Sequence, residues 1–182
     1  MNQLETAIID GIKTAQKDYL KMTGWWLGHG PESFIMCTVA TKVATTDGSS
    51  VFIEASPKKI LKERDEKRRG RPPTNLDQRF DIVVWQKSNN NIKAIVEVKR
   101  AWSITSLRSD REKILTYMNS NNFVRAGYIL AYSEAKGERR ETNLKNRLTK
   151  WAKDLSCVLA GEYINWEGDG EWGWAVSLLR VK

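Results

Sequence analysis

Apolar residues recur along the chain at two periods, and the switches between them predict its elements. Leu4, Ile8, Ile12, Ala15 and Tyr19 stand at helical spacing, so residues 2 to 21 read as an amphipathic helix. After the glycine-punctuated stretch Gly24-Trp25-Trp26-Leu27-Gly28-His29-Gly30, Pro31-Glu32 opens a second helix over 31 to 45, with proline at the favoured first position. Its body, SFIMCTVATKVA, is apolar around most of its circumference and is expected to be buried against a sheet. Asp47-Gly48 marks a turn and Val51 to Ala55 a short strand. Ser56 then caps a basic helix over 57 to 69, followed by the proline-containing loop RPPTNLD.

Arg79 to Trp102, RFDIVVWQKSNNNIKAIVEVKRAW, holds two runs rich in Val, Ile, Phe and Trp, joined by a polar turn at Ser88 to Asn91. Neither run contains Pro or Gly, and a hairpin folded about Asn89 is predicted. A helix capped by Ser103 or Ser106 runs to Ser120, and Val124 to Tyr132 reads as a central strand. Residues 137 to 155 form a basic amphipathic helix. Val158-Leu159, Tyr163 to Trp166, a turn at Glu167 to Gly170 and Trp172 to Val181 make terminal strands ending in a hairpin. Interleaved helices and strands predict an α/β fold, a mixed central sheet flanked on both faces. Neither a repeat nor a domain boundary interrupts residues 1–182.

Three ionisable residues break the hairpin's apolar runs. Folding about Asn89 sets Asp81 opposite Glu97, and the two-residue strand period puts Glu97 and Lys99 on one face. Two carboxylates held together inside a protein repel each other, and burying either is costly. A magnesium ion relieves that cost, because it takes oxygen ligands and keeps waters or substrate phosphate in its remaining positions. The neighbouring ammonium would position a water or balance charge on phosphate. The plainer reading is a solvent-facing row in which Lys99 pairs with Glu97 or Asp81.

Charge narrows the partner. The net charge is +8 with a pI near 9.5, and the excess concentrates in Lys58 to Arg71 and Lys136 to Lys153. A polyanion such as nucleic acid is the expected partner, although each run taken alone also reads as a solvated face. One histidine, His29, excludes a multi-histidine metal site, and it reads more simply as a loop residue. Cys37 and Cys157 sit in apolar settings and are expected to be buried free thiols. Trp25 and Trp26 read first as anchors of their loop and second as a stacking surface for a base. No apolar run reaches the ~18 residues of a membrane span, and the N-terminus lacks a signal-peptide pattern, so a cytoplasmic protein is expected.

With Asp81 in RFDIVV and Glu97-Val98-Lys99 in AIVEVKR, the chain resembles the PD-(D/E)xK nuclease superfamily, the restriction-endonuclease-like fold. The resemblance covers a core of about 31–132, leaving the N-terminal helix 2–21 as an extra element and 137–182 as a C-terminal helix and hairpin. It implies a magnesium-dependent nuclease, with manganese substituting, in which Asp81 and Glu97 bind the metal and Lys99 assists the water. Many members add a glutamate from the first core helix to the catalytic and metal-binding set; Glu32 matches that position best and is the implied third metal ligand, with Glu5 the weaker competitor. Lys113 and Tyr117, on the following helix, would approach phosphate. Phe80 stands where the motif name has proline. The basic helix would be an insertion, either a lid or a grip on DNA, and Lys58, Lys59, Lys62, Arg68, Arg69, Arg71 and Lys113 are the candidate nucleic-acid contacts. The expected substrate is DNA, duplex favoured, cut endonucleolytically, by a protein that would form a homodimer or join a larger defence, repair or phage-type assembly. A non-catalytic nucleic-acid-binding or assembly protein on the same fold, or an RNA- or structure-selective nuclease, are the alternatives.

Overall fold

A computed structural model describes residues 1–63, 78–89, 91–101, 103–167 and 172–182. Arg68, Arg69 and Arg71, the second half of the expected basic helix, the RPPTNLD loop and the turn at Gly168 to Gly170 lie outside the described residues.

The first helix, α1 (Gln3–Thr23), starts where its ends are satisfied. Asn2 accepts the Glu5 amide at 2.9 Å, Glu5 accepts the Asn2 amide at 2.8 Å, and Gly24 stops the helix in the left-handed region at φ 75°. Ile8, Ile12 and Ala15 of its apolar stripe are buried. The stripe reads in the sequence as core or interface packing, and α1, although an extra element beside the expected nuclease-like core, is part of the hydrophobic core. It lies along α2 (Glu32–Ala44) so closely that a Cβ on Gly11 would come within 2.8 Å of Val39 Cα. Pro31 is the N-cap of α2 rather than its first residue, one position earlier in role than expected. Cys37 is exposed on the outer side of α2, contrary to the expected burial, because this helix packs on one side only through Ile35, Met36, Val39 and Val43. Cys157 is half-buried, and both thiols are free.

The sheet has six strands: β1 (Ser49–Ala55), β2 (Phe80–Gln86), β3 (Ile92–Arg100), β4 (Gly127–Lys136), β5 (Val158–Glu167) and β6 (Trp172–Val181). Their spatial order is β1-β2-β3-β4-β6-β5. Only β3 and β4 pair in parallel, joined across one face by α4 (Ile104–Asn119), while the other neighbours are antiparallel. Strand β5 is one continuous strand, kept in register past Leu159 by a bulge before Gly161, where the sequence pattern suggests two short runs.

Side chains alternate between two cores. Ile82, Val84, Val96, Val98, Tyr128 and Leu130 face α1 and α2, whereas Val83, Ile95, Ile129, Ala131 and Leu179 face α4 and α5 (Arg140–Asp154). The short α3 (Pro57–Glu63) is capped by Ser56 and buries only Pro57 and Ile60. Among the described residues no helix is long and apolar enough to cross a membrane.

Candidate active site

Register brings the ionisable residues of the central hairpin together. Ile82 pairs with Val96, and continuing that register by one residue sets Asp81 opposite Glu97. Asp81 Oδ2 accepts the Val98 amide at 2.7 Å, a side-chain bond standing where a ladder bond would otherwise run. Glu97 and Lys99 share a face with Ile95, two and four residues on, at the end of β3 that α4 covers. The other face contributes through its helix terminus. Glu32, the first residue of α2, accepts the Arg100 amide at 2.9 Å through Oε1, and Lys99 Nζ lies 3.3 Å from its Oε2. Glu5, the competing carboxylate, is buried elsewhere, in its capping box and 3.0 Å from the Tyr128 hydroxyl.

Helix α4 supplies two groups from above. Lys113 Nζ makes a 2.6 Å ion pair with Glu97 Oε2, also donates to the Arg79 carbonyl at 3.1 Å, and lies over the Phe80 ring. Its side chain is only 17% exposed, so Lys113 turns into the site rather than onto a nucleic-acid-facing surface. Asp110 Oδ2 stands 3.9 Å from Lys99 Nζ. Asp110 is the residue that sequence reasoning missed. Its spacing of three from Lys113 places both on one helical face, but only the docking of α4 on the sheet shows that this face covers Glu97 and Lys99. Tyr117, expected near phosphate, is instead buried with its ring 4.9 Å from that of Phe80, because the next turn of α4 leans into the core.

Burial governs the electrostatics. It pushes the Glu97 carboxyl up to about 8, with Asp81 adding to the effect and Lys113 opposing it. Burial also raises Asp81, against the Val98 amide, and raises Asp110. For Lys99 burial disfavours the ammonium, yet Asp110, Glu32 and Asp81 together outweigh it and raise its pKa. Glu97 is 3% exposed, and its Oε1 accepts no hydrogen bond among the described residues. An acceptor left bare in the interior costs about 1–3 kcal/mol.

This arrangement fits a hard cation. Two carboxyls of adjacent strands, whose charged forms burial disfavours and one of which has a bare oxygen, would regain that charge by exchanging a proton for a magnesium ion, which takes oxygen ligands. Among the described residues no group of three His, Cys, Asp or Glu side chains is placed to hold an ion. Glu32, Ser33, Met36, Glu54 and Asp81 line a cleft of about 190 Å³ beside these groups. Glu54 has φ 48° and faces Asp81 at the one step where the β1–β2 pairing skips, between Ile53↔Ile82 and Ala55↔Phe80. A non-glycine residue held in the left-handed region inside a strand is strained, and such strain gathers at functional sites.

Of the other candidate contacts, Lys58, Lys59 and Lys62 are exposed on α3, with Lys59 Nζ 5.1 Å from the Phe52 ring centre. No protein-family model matches the sequence, and no curated protein or solved structure is significantly similar to it.

Proposed function

We propose that the protein is a divalent-metal-dependent nuclease of the PD-(D/E)xK type, hydrolysing phosphodiester bonds in DNA. The observation that carries this reading is the convergence of Asp81, Glu97 and Lys99 from two paired strands, with a bare oxygen on the buried Glu97 and a half-buried Asp81 on the neighbouring strand. Asp81 and Glu97 would hold a magnesium ion, which supplies Lewis-acid stabilisation of the phosphate and a lowered pKa for its bound water. Lys99, kept charged by Glu32 and Asp110, would orient a water or stabilise charge developing on the non-bridging phosphate oxygens. Glu32 ties Lys99 to the backbone of Arg100 and so fixes the ammonium's direction. The exposed lysines of α3 would add sequence-independent affinity for the phosphate backbone.

One observation favours a second reading. Lys113 Nζ stands 2.6 Å from Glu97 Oε2, an internal partner that a nuclease-like scaffold binding nucleic acid without cutting it would keep. A cleavage assay on single-stranded, duplex and branched DNA and on RNA, with magnesium, manganese or chelator, separates the two. The nuclease reading requires cleavage that chelator stops and that Asp81→Ala, Glu97→Ala and Lys99→Ala each abolish in folded protein. Undiminished cleavage by Asp81→Ala would refute it.

A further inference from the structure

Three side chains buried between α1 and β4, Gln16, Tyr132 and Glu134, have no part in the chemistry above and converge on one short loop. Glu134 is 4% exposed, and its Oε1 accepts the Gly28 amide at 2.9 Å. Gln16 is fully buried and accepts the Leu27 amide at 3.2 Å. The Tyr132 hydroxyl joins the two, 2.6 Å from Glu134 and 2.8 Å from Gln16. From the other side Arg100 Nη1 donates to the Gly28 carbonyl at 2.6 Å. A Cβ on Gly28 would land inside the Glu134 carboxylate, so only glycine permits this approach. Burying polar groups is costly unless they are bonded, and here the Glu134 carboxylate and the Gln16 oxygen are bonded to the 3-10 turn Leu27–His29, while Gln16 Nε2 has no hydrogen-bond partner among the described residues.

That turn holds an aromatic surface in the open. Trp26 packs on the core beneath α1, but Trp25 is 62% exposed, with its ring 5.4 Å from the exposed His29 ring in an edge-on arrangement. The loop is therefore anchored by one tryptophan and presents the other. Its position matters as well, because the residue clamping Gly28 is Arg100, directly after Lys99 at the end of β3. Two residues lie between Trp25 and Gly28, so their Cα atoms are at most about 11 Å apart. An indole on a loop tied through the Arg100 side chain to the end of β3 that carries Lys99, on a basic protein, is open to a base of a strand bound at that end of the sheet. Bases stack on exposed aromatic side chains without regard to sequence, but only when they are free of their own duplex.

We propose that Trp25, backed by His29, is a stacking platform for an unpaired base of the substrate strand, and that it makes single-stranded or frayed nucleic acid the preferred substrate over fully paired duplex. This inference rests on the nuclease reading and specifies its substrate. The test uses the full chain and its Trp25→Ala and Trp25→Phe variants. Fluorescence anisotropy in chelator measures binding to a labelled single-stranded oligonucleotide and to the same sequence as duplex, and cleavage of both is followed with magnesium. Trp25→Ala should weaken single-strand binding by about 5- to 100-fold, the scale of one base–aromatic stack. It should raise KM on that substrate, leave duplex binding within about twofold, and keep the melting temperature. Trp25→Phe should recover most of the single-strand affinity. Equal weakening on both substrates, or none on either, overturns the platform while wild-type cleavage still upholds the nuclease reading. A fall in sedimentation mass on Trp25→Ala would identify the surface as an interface between copies and also overturn the platform. Absence of all binding and cleavage by the wild type would overturn both readings.

Discussion

Glu97 makes the stability of the metal-free protein depend on pH in a calculable direction. In the fold it keeps its proton up to about pH 8, against an ordinary value of 4.5 that applies to the unfolded chain. Between those values the native state holds one more proton than the unfolded state, so stability falls as pH rises. The contribution is full below pH 4.5 and is lost by the time pH has passed about 8. At about 1.4 kcal/mol per pH unit, the gap sets a ceiling of about 5 kcal/mol. An unfolding entropy of about 2.1 cal/mol/K per residue comes to about 0.4 kcal/mol/K for this chain, so the ceiling corresponds to about 12 °C in melting temperature. Glu97→Gln removes the titration while keeping the shape. It also changes the group that Lys113 meets at 2.6 Å, so the variant starts from a different level and the slope is what counts. Thermal unfolding in chelator from about pH 5 to pH 9 should show the wild type losing stability more steeply than Glu97→Gln up to about pH 8. Parallel curves would refute the reasoning, since Asp81 and Asp110 titrate in both proteins.

Three further outcomes follow from the same geometry. Gly28→Ala should destabilise the fold by about 1–3 kcal/mol in chemical denaturation, because its methyl group meets the Glu134 carboxylate. Lys99→Ala should lower kcat on DNA by about 10²- to 10⁴-fold while changing KM little, and single-turnover rates with excess protein would detect an effect confined to binding instead. Replacing Lys58, Lys59 and Lys62 together by Gln should make the slope of log affinity against log salt shallower, by about 0.9 for each phosphate that a lysine no longer neutralises, measured on duplex DNA; an unchanged slope would place the substrate elsewhere.

Local pattern was enough to locate the elements and the central hairpin. Helix α1 follows from its stripe and capping box, and the partnership of Asp81 with Glu97 follows from counting residues about Asn89, because a strand's period of two leaves little freedom once one face is apolar. The choice between Glu32 and Glu5 was not legible, since both open a helix in equivalent chemical settings. The packing of α2 against the end of β3 brings Glu32 to Lys99, while α1 carries Glu5 to Tyr128. Asp110 and the inward turn of Lys113 were hidden for the same reason: helical spacing tells which residues share a face, and the crossover from β3 to β4 determines what that face covers. The paired tryptophans show the limit most plainly. Two identical neighbours had to be read alike in the sequence, yet one is packed under α1 and the other stands in solvent. What separates them is a buried carboxylate more than a hundred residues away, which reaches the Gly28 amide only when β4 lies in the sheet. Sequence determines what each segment can bury and bond locally; which distant groups meet is decided by the one packing that satisfies both faces of the sheet together.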